Sequence, residues 1–293
     1  MTVCYPRVTD RPAPPPENDS PYLLTVVDDV VLPLTGERTL PGVDHENYWF
    51  RRHEVAYQWV RTRWGRPLRG QRTIDAGCGE GYGAALLSQV TQRPVIGLEL
   101  DIATARHAKR RYRPDVAVVV ANLNAFPLTS SCAGALVSMQ VIEHLWDVGT
   151  FLNECRRVLA PGGLLVLTTP NRLTFSPGLG RGQKPTNPFH VEEFDAGQLV
   201  NIVADVGFEN THAWGLHHSG PLAIWERKHG DIVAAQISNV LTHPASAGQP
   251  DTWDPMLRAA VDAVTHDDFA ISRENLAQSR DLIVVAHKPK GMA

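Results

Sequence analysis

Two short clusters of side chains could bind a cation or move a proton. In the first, Gln140, Glu143 and His144 are closely spaced, and their oxygen and imidazole groups can bind Mg²⁺-class ions or orient a general base. The second reads Asn-Pro-Phe-His-Val-Glu-Glu-Phe over residues 187–194, where His190 could assist His144 or contact substrate hydroxyls. Each histidine also has a structural alternative: His144 as the cap of the next helix, and His190 as the anchor of a loop.

A glycine-rich turn earlier in the chain indicates where a ligand would be held. Residues 73–83 read Thr-Ile-Asp-Ala-Gly-Cys-Gly-Glu-Gly-Tyr-Gly, so that a β-type run ends at Asp75 and a helical run follows. Glycines let the backbone turn sharply and approach a ligand closely. Those in the turn are Gly77, Gly79 and Gly81. A second strand-like run then ends at Glu99, whose carboxylate can accept hydrogen bonds from a ribose diol. Together these features predict a nucleoside-binding α/β unit.

The glycine spacing separates two classes of nucleoside-binding protein. A dinucleotide-binding unit normally reads G-x-G-x-x-G, whereas here G-x-G-x-G follows Asp75. This pattern resembles motif I of the class I S-adenosylmethionine (SAM) methyltransferases, and the resemblance continues in the family's order to residue 166. Its further segments are Val118–Leu123, Phe126-Pro127-Leu128, Ala135–Gln140, Val141–Leu145 and Val158–Val166.

The resemblance implies an α/β fold of the class I methyltransferase, or Rossmann-like, type: a seven-stranded sheet with helices on both faces. It also implies SAM as the cofactor, with Glu99 on the ribose hydroxyls and Asn122 near the adenine. The residues that it assigns to SAM are Asp75, Gly77, Gly79, Gly81, Glu99, Leu100, Asn122, Leu123 and Gln140.

The first cluster is also similar to the E-x-x-E-H element of ubiquinone-pathway O-methyltransferases, which bind a divalent cation there. By this resemblance Glu143 and His144 would hold a metal such as Mg²⁺, and Glu143, His144 and His190 would be the catalytic residues. The first acid of the element is Gln140 in this chain, which removes one formal negative charge.

The acceptor is indicated by the segments Leu34–Gly42 and Glu46–Glu54. They look like sugar O-methyltransferases that make methylmannose or methylglucose polysaccharides in mycobacteria. The implied acceptor is a small-molecule or oligosaccharide hydroxyl on a mannoside or glucoside precursor. An alcohol needs a base, a metal or both before it can attack. Two alternatives stay open: a SAM-dependent enzyme for a quinone, polyketide or amine, and a non-catalytic SAM-binding protein, which has no use for the three catalytic candidates.

Composition disfavours other partners. The 293 residues carry a formal net charge of −3, which argues against a nucleic-acid binder. The chain has neither a signal pattern nor an apolar run approaching the roughly 18 residues of a membrane helix, so we expect no membrane span and a cytoplasmic location. Its four cysteines show no metal-finger spacing and are expected to be reduced thiols.

Five parts are predicted along the chain. Residues 1–20 would be a mobile Pro-rich tail, and residues 21–66 an N-terminal segment whose helix closes over the cofactor with an arginine or aromatic residue near its carboxylate. Residues 67–216 would form the SAM-binding core, and residues 281–293 the last strand and the C-terminal end. Residues 217–280 replace a short turn of the family, and we expect a helical insertion that serves as an acceptor lid or as a homodimer contact.

Overall fold

The computed structural model describes residues 23–27, 30–34, 39–242 and 253–291. The predicted tail, residues 1–20, lies outside this range, as do residues 35–38 of the segment that resembles sugar methyltransferases. The first two ranges form an antiparallel hairpin of β1 (Leu23–Val27) and β2 (Val30–Leu34).

A single sheet forms the centre of the described chain. Its strands are β3 (Thr73–Ala76), β4 (Val95–Glu99), β5 (Val116–Val120), β6 (Ala133–Met139), β7 (Leu159–Pro170), β8 (Glu209–His218), β9 (Phe269–Ser272) and β10 (Asp281–His287). They lie in the order β5-β4-β3-β6-β7-β10-β8-β9. Strands β3 to β7 run parallel, whereas β10 is antiparallel to both β7 and β8, and β9 is antiparallel to β8. The class I methyltransferase type of α/β sheet is therefore confirmed.

The predicted number of seven strands is wrong, because the sheet of the described residues has eight strands. The extra strand is β9. It belongs to the insertion, and it pairs with β8 at the edge of the sheet from His218↔Phe269 to Gly215↔Ser272. An edge strand exposes unpaired backbone groups, and β9 covers those at the end of β8. The insertion is thus not purely helical, as the apolar helical patterns alone suggested.

Helices cover both faces of the sheet, as predicted. They are α1 (Asn47–Leu68), α2 (Tyr82–Thr91), α3 (Ile102–Arg111), α4 (Val148–Val158), α5 (Arg172–Phe175), α6 (Ala196–Asp205), α7 (Gly220–His229), α8 (Ile232–Thr242) and α9 (Pro255–Ala263). Side chains alternate across a strand, and β6 shows the result. Leu136 belongs to the core that includes Phe151 of α4, whereas Val137 belongs to the core that includes Val60 of α1.

The insertion packs on the first turns of α1. Tyr48 is fully buried in a separate apolar cluster with residues of α7, α8, α9 and β9. Its hydroxyl lies 2.9 Å from Nε2 of His218, and Nδ1 of His218 lies 2.8 Å from a carboxylate oxygen of Glu226 in α7. The Nδ2 group of Asn47 donates to the carbonyl oxygens of Val261 and Val264 at the end of α9 (3.0 and 2.9 Å). Apolar packing and specific hydrogen bonds together fix the insertion to α1.

Within the described ranges, no helix combines the length and the apolar character that crossing a bilayer requires.

Replacing Asn47 with alanine should lower the free energy of unfolding by about 1–3 kcal/mol, because partly buried carbonyl groups of α9 lose their donor. Urea unfolding followed by circular dichroism measures the change. Asn153→Ala is the matched control, since Asn153 donates only to Gly149 within the exposed face of α4. Equal stability of the two variants would contradict the role of Asn47 in docking α9.

Candidate active site

The parallel strands bring the predicted ligand-binding segments to one side of the sheet. We call this side the carboxyl edge, which is formed by the ends of β3 to β7. The chain passes outward through β3, β4 and β5 and then returns to β6 on the other side of β3. In open α/β sheets, ligands bind in the crevice at such a reversal of strand order. The glycine turn follows β3, Glu99 ends β4, and Gln140 follows β6.

The glycine turn adopts a conformation that residues with side chains rarely take. Gly77, Gly79 and Gly81 have φ angles of +82°, +53° and +101°, in the left-handed region that favours glycine. A Cβ atom on Gly77 would also lie 2.5 Å from Cγ2 of Val141. The turn therefore fits closely against the segment after β6, and Gly81 is the N-cap of α2.

The carboxylate of Glu99 is held by backbone groups on both sides. Its Oε2 accepts a hydrogen bond from the N–H of Gly79 at 3.0 Å, and its Oε1 accepts one from the N–H of Asp101 at 2.8 Å. Apart from Gly79 and its two neighbours in the chain, no described residue places a heavy atom within 4 Å of the position that a Cβ on Gly79 would take. A pre-positioned carboxylate thus borders open space at the glycine turn.

Asp75 lies beneath the glycine turn and is fully buried. Burial raises the pKa of its carboxyl to about 7, the hydrogen bond from Tyr57 acts in the opposite direction, and the charge of Glu99 adds to the rise. The Tyr57 hydroxyl donates to this carboxyl at 3.1 Å. The ring of Tyr57 lies over Gly83, where a Cβ would come within 2.1 Å of it. Asp75 therefore connects α1 and α2 to the base of the turn.

Three further residues predicted to bind the cofactor, Leu100, Asn122 and Leu123, differ in exposure. Leu100 is 67 % exposed, and Asn122 is also at the surface, with its Oδ1 accepting a hydrogen bond from the N–H of Asn124 at 2.9 Å. Leu123, in contrast, is buried in the core below the sheet end. An exposed leucine beside the Glu99 carboxylate suits an apolar ring, whereas only the backbone of Leu123 can face a ligand.

Arg52 of α1 reaches across the carboxyl edge. Its guanidinium donates to both carboxylate oxygens of Asp281, at 2.7 Å for the bond from Nε to Oδ2, and to Oε1 of Gln140 at 3.3 Å. The same group lies 4.6 Å from the ring centroid of Phe175. Burial acts against this charge, but the Asp281 carboxylate outweighs it and the pKa of Arg52 is raised. The arginine or aromatic residue expected near the carboxylate of the cofactor stays a prediction, and in the structure Arg52 binds a protein carboxylate.

Gln140 has a φ angle of +54°, which is uncommon for a residue with a side chain. Its N–H donates to the carbonyl and the hydroxyl oxygens of Thr168, both at 3.0 Å. These bonds hold the turn that directs the chain from β6 towards Glu143.

The structure brings the two sequence clusters together. Glu143, His144 and His190 each present a ligand atom, and these atoms all lie within 4.8 Å of one another. Val191 N–H donates to the carbonyl oxygen of Glu143 at 2.7 Å, which joins the two segments. Glu143 is 1 % exposed and accepts a hydrogen bond from the Thr169 hydroxyl at 3.0 Å. Burial raises the pKa of Glu143, and the charges of His144 and His190 offset part of that rise.

His144 does not cap the next helix, because Asp147 does so by accepting from the N–H of Thr150 at 2.8 Å. Nδ1 of His144 instead lies 3.1 Å from the carbonyl oxygen of Phe189. A carbonyl oxygen only accepts, so Nδ1 is the donor and Nε2 is the basic atom of the neutral ring. This Nε2 lies 4.0 Å from a carboxylate oxygen of Glu143.

His190 is held on both sides of its ring. Nδ1 lies 2.6 Å from a carboxylate oxygen of Glu193, and Nε2 lies 3.1 Å from the amide nitrogen of Asn187. The ring also packs edge-on against that of His144, with centroids 5.0 Å apart. The loop-anchor alternative thus describes part of its role, and its position beside His144 is compatible with chemistry as well.

Comparisons with known proteins agree with this geometry. Residues 74–167 match the family described as a methyltransferase domain. A protein of Mycolicibacterium smegmatis named "Probable S-adenosylmethionine-dependent methyltransferase" is 45 % identical over 262 residues, which cover 88 % of this chain and 96 % of that protein. The chain belongs to the SAM-dependent methyltransferases.

Two further similarities are more limited, one in the length of chain that it covers and the other in sequence identity. A ubiquinone biosynthesis O-methyltransferase of a Caulobacter species is 34 % identical to the methyltransferase over 132 residues, which cover 42 % of this chain and 50 % of that protein. A Thermotoga maritima structure described as a "SAM-dependent methyltransferase, possible histamine N-methyltransferase" has a TM-score of 0.55 at 16 % identity, and the match covers 84 % of this chain and 96 % of that chain. The second similarity concerns the fold alone.

Sequence reasoning missed several partners at the carboxyl edge of the methyltransferase. Asp281 was assigned only to the last strand, and Tyr57 only to a helix, yet they hold Arg52 and Asp75. Both are distant in the sequence from the residues that they contact. The sequence offered one signal for Asp281: it is an acidic residue at the start of an otherwise apolar strand, and such a residue needs a polar partner.

Replacing Glu99 with alanine should weaken the binding of SAM and of S-adenosylhomocysteine by roughly 10- to 150-fold, because charged hydrogen bonds to two hydroxyls contribute about 1.5–3 kcal/mol. Isothermal titration calorimetry measures the affinities. Glu209→Gln, at the opposite end of the sheet, controls for the loss of one negative charge. Unchanged affinity in Glu99→Ala would remove this residue from the cofactor site.

Proposed function

We propose that the chain is an O-methyltransferase that transfers the methyl group of SAM to a hydroxyl of a saccharide, a mannoside or glucoside precursor of a methylated polysaccharide. The observation that supports a hydroxyl oxygen as the acceptor is the cluster of Glu143, His144 and His190 at the carboxyl edge. An alcohol must lose its proton during attack, and this cluster offers a base at the place where the acceptor would lie.

SAM would occupy the crevice between the glycine turn and Glu99. The features that support this fit are the left-handed glycines, the open space at Gly79 and the carboxylate that already accepts two backbone hydrogen bonds. Leu100 and Asn122 would border the adenine, and Gln140 would lie near the donor end of the cofactor. When bound, SAM supplies an electrophilic methyl group on a sulfonium, and in-line attack on that methyl group would release S-adenosylhomocysteine as the leaving group.

His144 would take the proton of the acceptor hydroxyl at Nε2. The carbonyl oxygen of Phe189 keeps the proton of the neutral ring on Nδ1, so that Nε2 is in the required tautomer. Glu143 would stabilise the imidazolium that forms, since its carboxylate lies 4.0 Å away. His190, oriented by Glu193, would contact the acceptor or share the proton. The base is thus oriented by residues that are themselves held by hydrogen bonds: Glu143 by Thr169, and His190 by Glu193.

A divalent cation fits the same cluster. The donor set is one carboxylate and two imidazoles, which suits Mn²⁺ or Zn²⁺ better than Mg²⁺, because Mg²⁺ takes mainly oxygen ligands. If Glu143 and His144 hold the ion, Nε2 of His144 is a ligand and no longer the base, and the ion would activate the acceptor hydroxyl in its place. His190 could join them only by giving up the contact of its Nε2 with Asn187. When bound, such an ion would act as a Lewis acid on the acceptor oxygen.

The saccharide part of the proposal rests on the segments 34–42 and 46–54 and on the surroundings of His144. Trp146 is 80 % exposed and lies two residues after His144 in the sequence. Phe189 is 38 % exposed, and its carbonyl oxygen is hydrogen-bonded to His144. Exposed aromatic rings offer large flat contact surfaces for an acceptor. Residues 217–280, whose described parts contact Tyr48 and Asn47 of α1, would act as the lid that limits the acceptor.

A quinone acceptor is the second candidate. The similarity to a ubiquinone biosynthesis O-methyltransferase favours it, although that match is limited to 132 residues. A saccharide and a catechol-type precursor of a quinone both present a hydroxyl group to the same base.

Turnover of SAM with a panel of mono- and oligosaccharides, a catechol and an amine should show methyl transfer to mannosides or glucosides. EDTA should lower this rate, and Mn²⁺ should restore it better than Mg²⁺. Calorimetric titration with Mn²⁺ gives an independent readout, in which Glu143→Gln should abolish binding. Methyl transfer to the catechol alone would contradict the proposal of a saccharide acceptor. A rate that EDTA does not change, together with an absence of Mn²⁺ binding, would contradict the proposal of a bound cation.

Replacing His144 with alanine should lower kcat by roughly 10²- to 10⁴-fold, the contribution of a general base, with the affinity for S-adenosylhomocysteine unchanged. His266→Ala is the matched control, because His266 is 63 % exposed on the insertion. A decrease of less than about tenfold would contradict the assignment of His144 as a base.

A further inference from the structure

A groove lies on the α1 side of the sheet, away from the carboxyl edge. It has a volume of about 1040 Å³ between the C-terminal half of α1 and the face of β8 and β10, close to the upper end of the range for small-molecule sites. The register of β10 separates the two places: Asp281 pairs with Pro170 at the carboxyl edge, whereas His287 pairs with Leu164 at the other end. Six residues of strand correspond to roughly 20 Å. A ligand in the groove would therefore not touch the cofactor.

The groove is strongly positive for a chain that is acidic overall. Of the described residues that line it, four are cationic: Arg63, Arg273, Lys288 and Lys290. The only carboxylate among them is Glu209, while the whole chain carries a net charge of −3. Like charges gathered along a concave surface raise the local concentration of an oppositely charged ligand. The occupant that this charge selects is an anion.

The two arginines are held in place by aromatic rings. Arg63 lies 5.4 Å from the ring centroid of Trp64 and 5.0 Å from that of Trp214, and Arg273 lies 5.6 Å from Trp214. Trp59 packs edge-on against both tryptophans, at 4.9 and 5.1 Å between centroids. Stacking leaves the edges of a guanidinium available for a bidentate contact with an oxyanion.

Neither arginine is neutralised by a carboxylate within the described part of the chain. Arg273 donates to Nδ1 of His212 at 3.3 Å, and Arg63 makes the two ring contacts only.

We propose that this groove binds a small phosphorylated organic anion, a sugar phosphate or a nucleotide, whose phosphate groups contact Arg63 and Arg273 and whose ring lies against Trp64. Phosphate presents the oxyanion geometry that a guanidinium matches bidentately. The indole of Trp64, which is partly exposed in the groove wall, provides the flat surface that a sugar or base ring requires. The proposal is independent of which acceptor the enzyme methylates.

Calorimetric titration at low ionic strength tests the proposal, with the probes fructose 1,6-bisphosphate, UDP and inorganic phosphate. Saturating S-adenosylhomocysteine keeps the cofactor crevice occupied, so that UDP cannot bind there. We expect one of the two organic phosphates to bind more tightly than inorganic phosphate, and which one binds identifies the source. Tryptophan fluorescence should change in the same titration, because Trp64 and Trp214 line the groove.

Arg63→Gln and Arg273→Gln should each weaken binding by about tenfold, and the double variant by about a hundredfold, as expected for charged hydrogen bonds. Both side chains are exposed, so the variants should fold, and unchanged affinity for S-adenosylhomocysteine verifies this. Arg66→Gln, on the same helix but outside the groove, is the matched control and should bind the probe normally.

Three results would overturn the proposal. The first is that no organic phosphate binds more tightly than inorganic phosphate. The second is an equal loss of affinity in Arg66→Gln, which would mean attraction by general surface charge. The third is tighter binding of a single-stranded oligonucleotide with the same dependence on Arg63 and Arg273, which would make the groove a nucleic-acid site.

Discussion

Arg52 carries its charge almost entirely out of contact with water, since its side chain is 3 % exposed. A buried charge without a partner is strongly unfavourable, and removing one member of such a pair typically costs about 3–5 kcal/mol. Asp281 is therefore required to lie where β10 begins, and α1 is required to cross the carboxyl edge at Arg52. Because Gln140 also accepts from Arg52, the same pair fixes the turn that leads to the proposed catalytic cluster.

The cluster is supported by β7 as well as by α1. Thr168 binds the backbone of Gln140, and the next residue, Thr169, binds the carboxylate of Glu143. Successive residues of a strand point to opposite faces, so one short piece of β7 holds both the turn and the acid. Functional side chains keep a more exact geometry when strands hold them, and when the residues that contact them are themselves hydrogen-bonded, than when they lie on loops. This explains how a residue with a left-handed backbone, Gln140, is maintained at this position.

Sequence reasoning succeeded where the information is local. The glycine turn, the acid at the end of β4 and the E-H pair are each defined by neighbours within a few residues, and backbone geometry then places them at one edge. It failed where distant segments meet. Asp281, Tyr57 and Thr169 act through partners from 18 to 229 residues away in the sequence, and no periodicity reports such a contact. The strand β9 was missed for a related reason: four residues with an apolar start do not differ from a loop until β8 offers its edge.

Two rigid elements join the carboxyl edge to the basic groove. In α1, Arg52 and Arg63 are eleven residues apart in the sequence, about 17 Å along a helix, and in β10 Asp281 and His287 lie at opposite ends of a strand paired on both sides. Coupling between two sites requires an element with two arrangements that both ligands bias. The structure shows a single packing arrangement for the central strand β10 and for α1, which the buried ion pair fixes. A ligand in the groove should therefore bind without moving Arg52. The free energies of binding in the groove and at the carboxyl edge should then be additive.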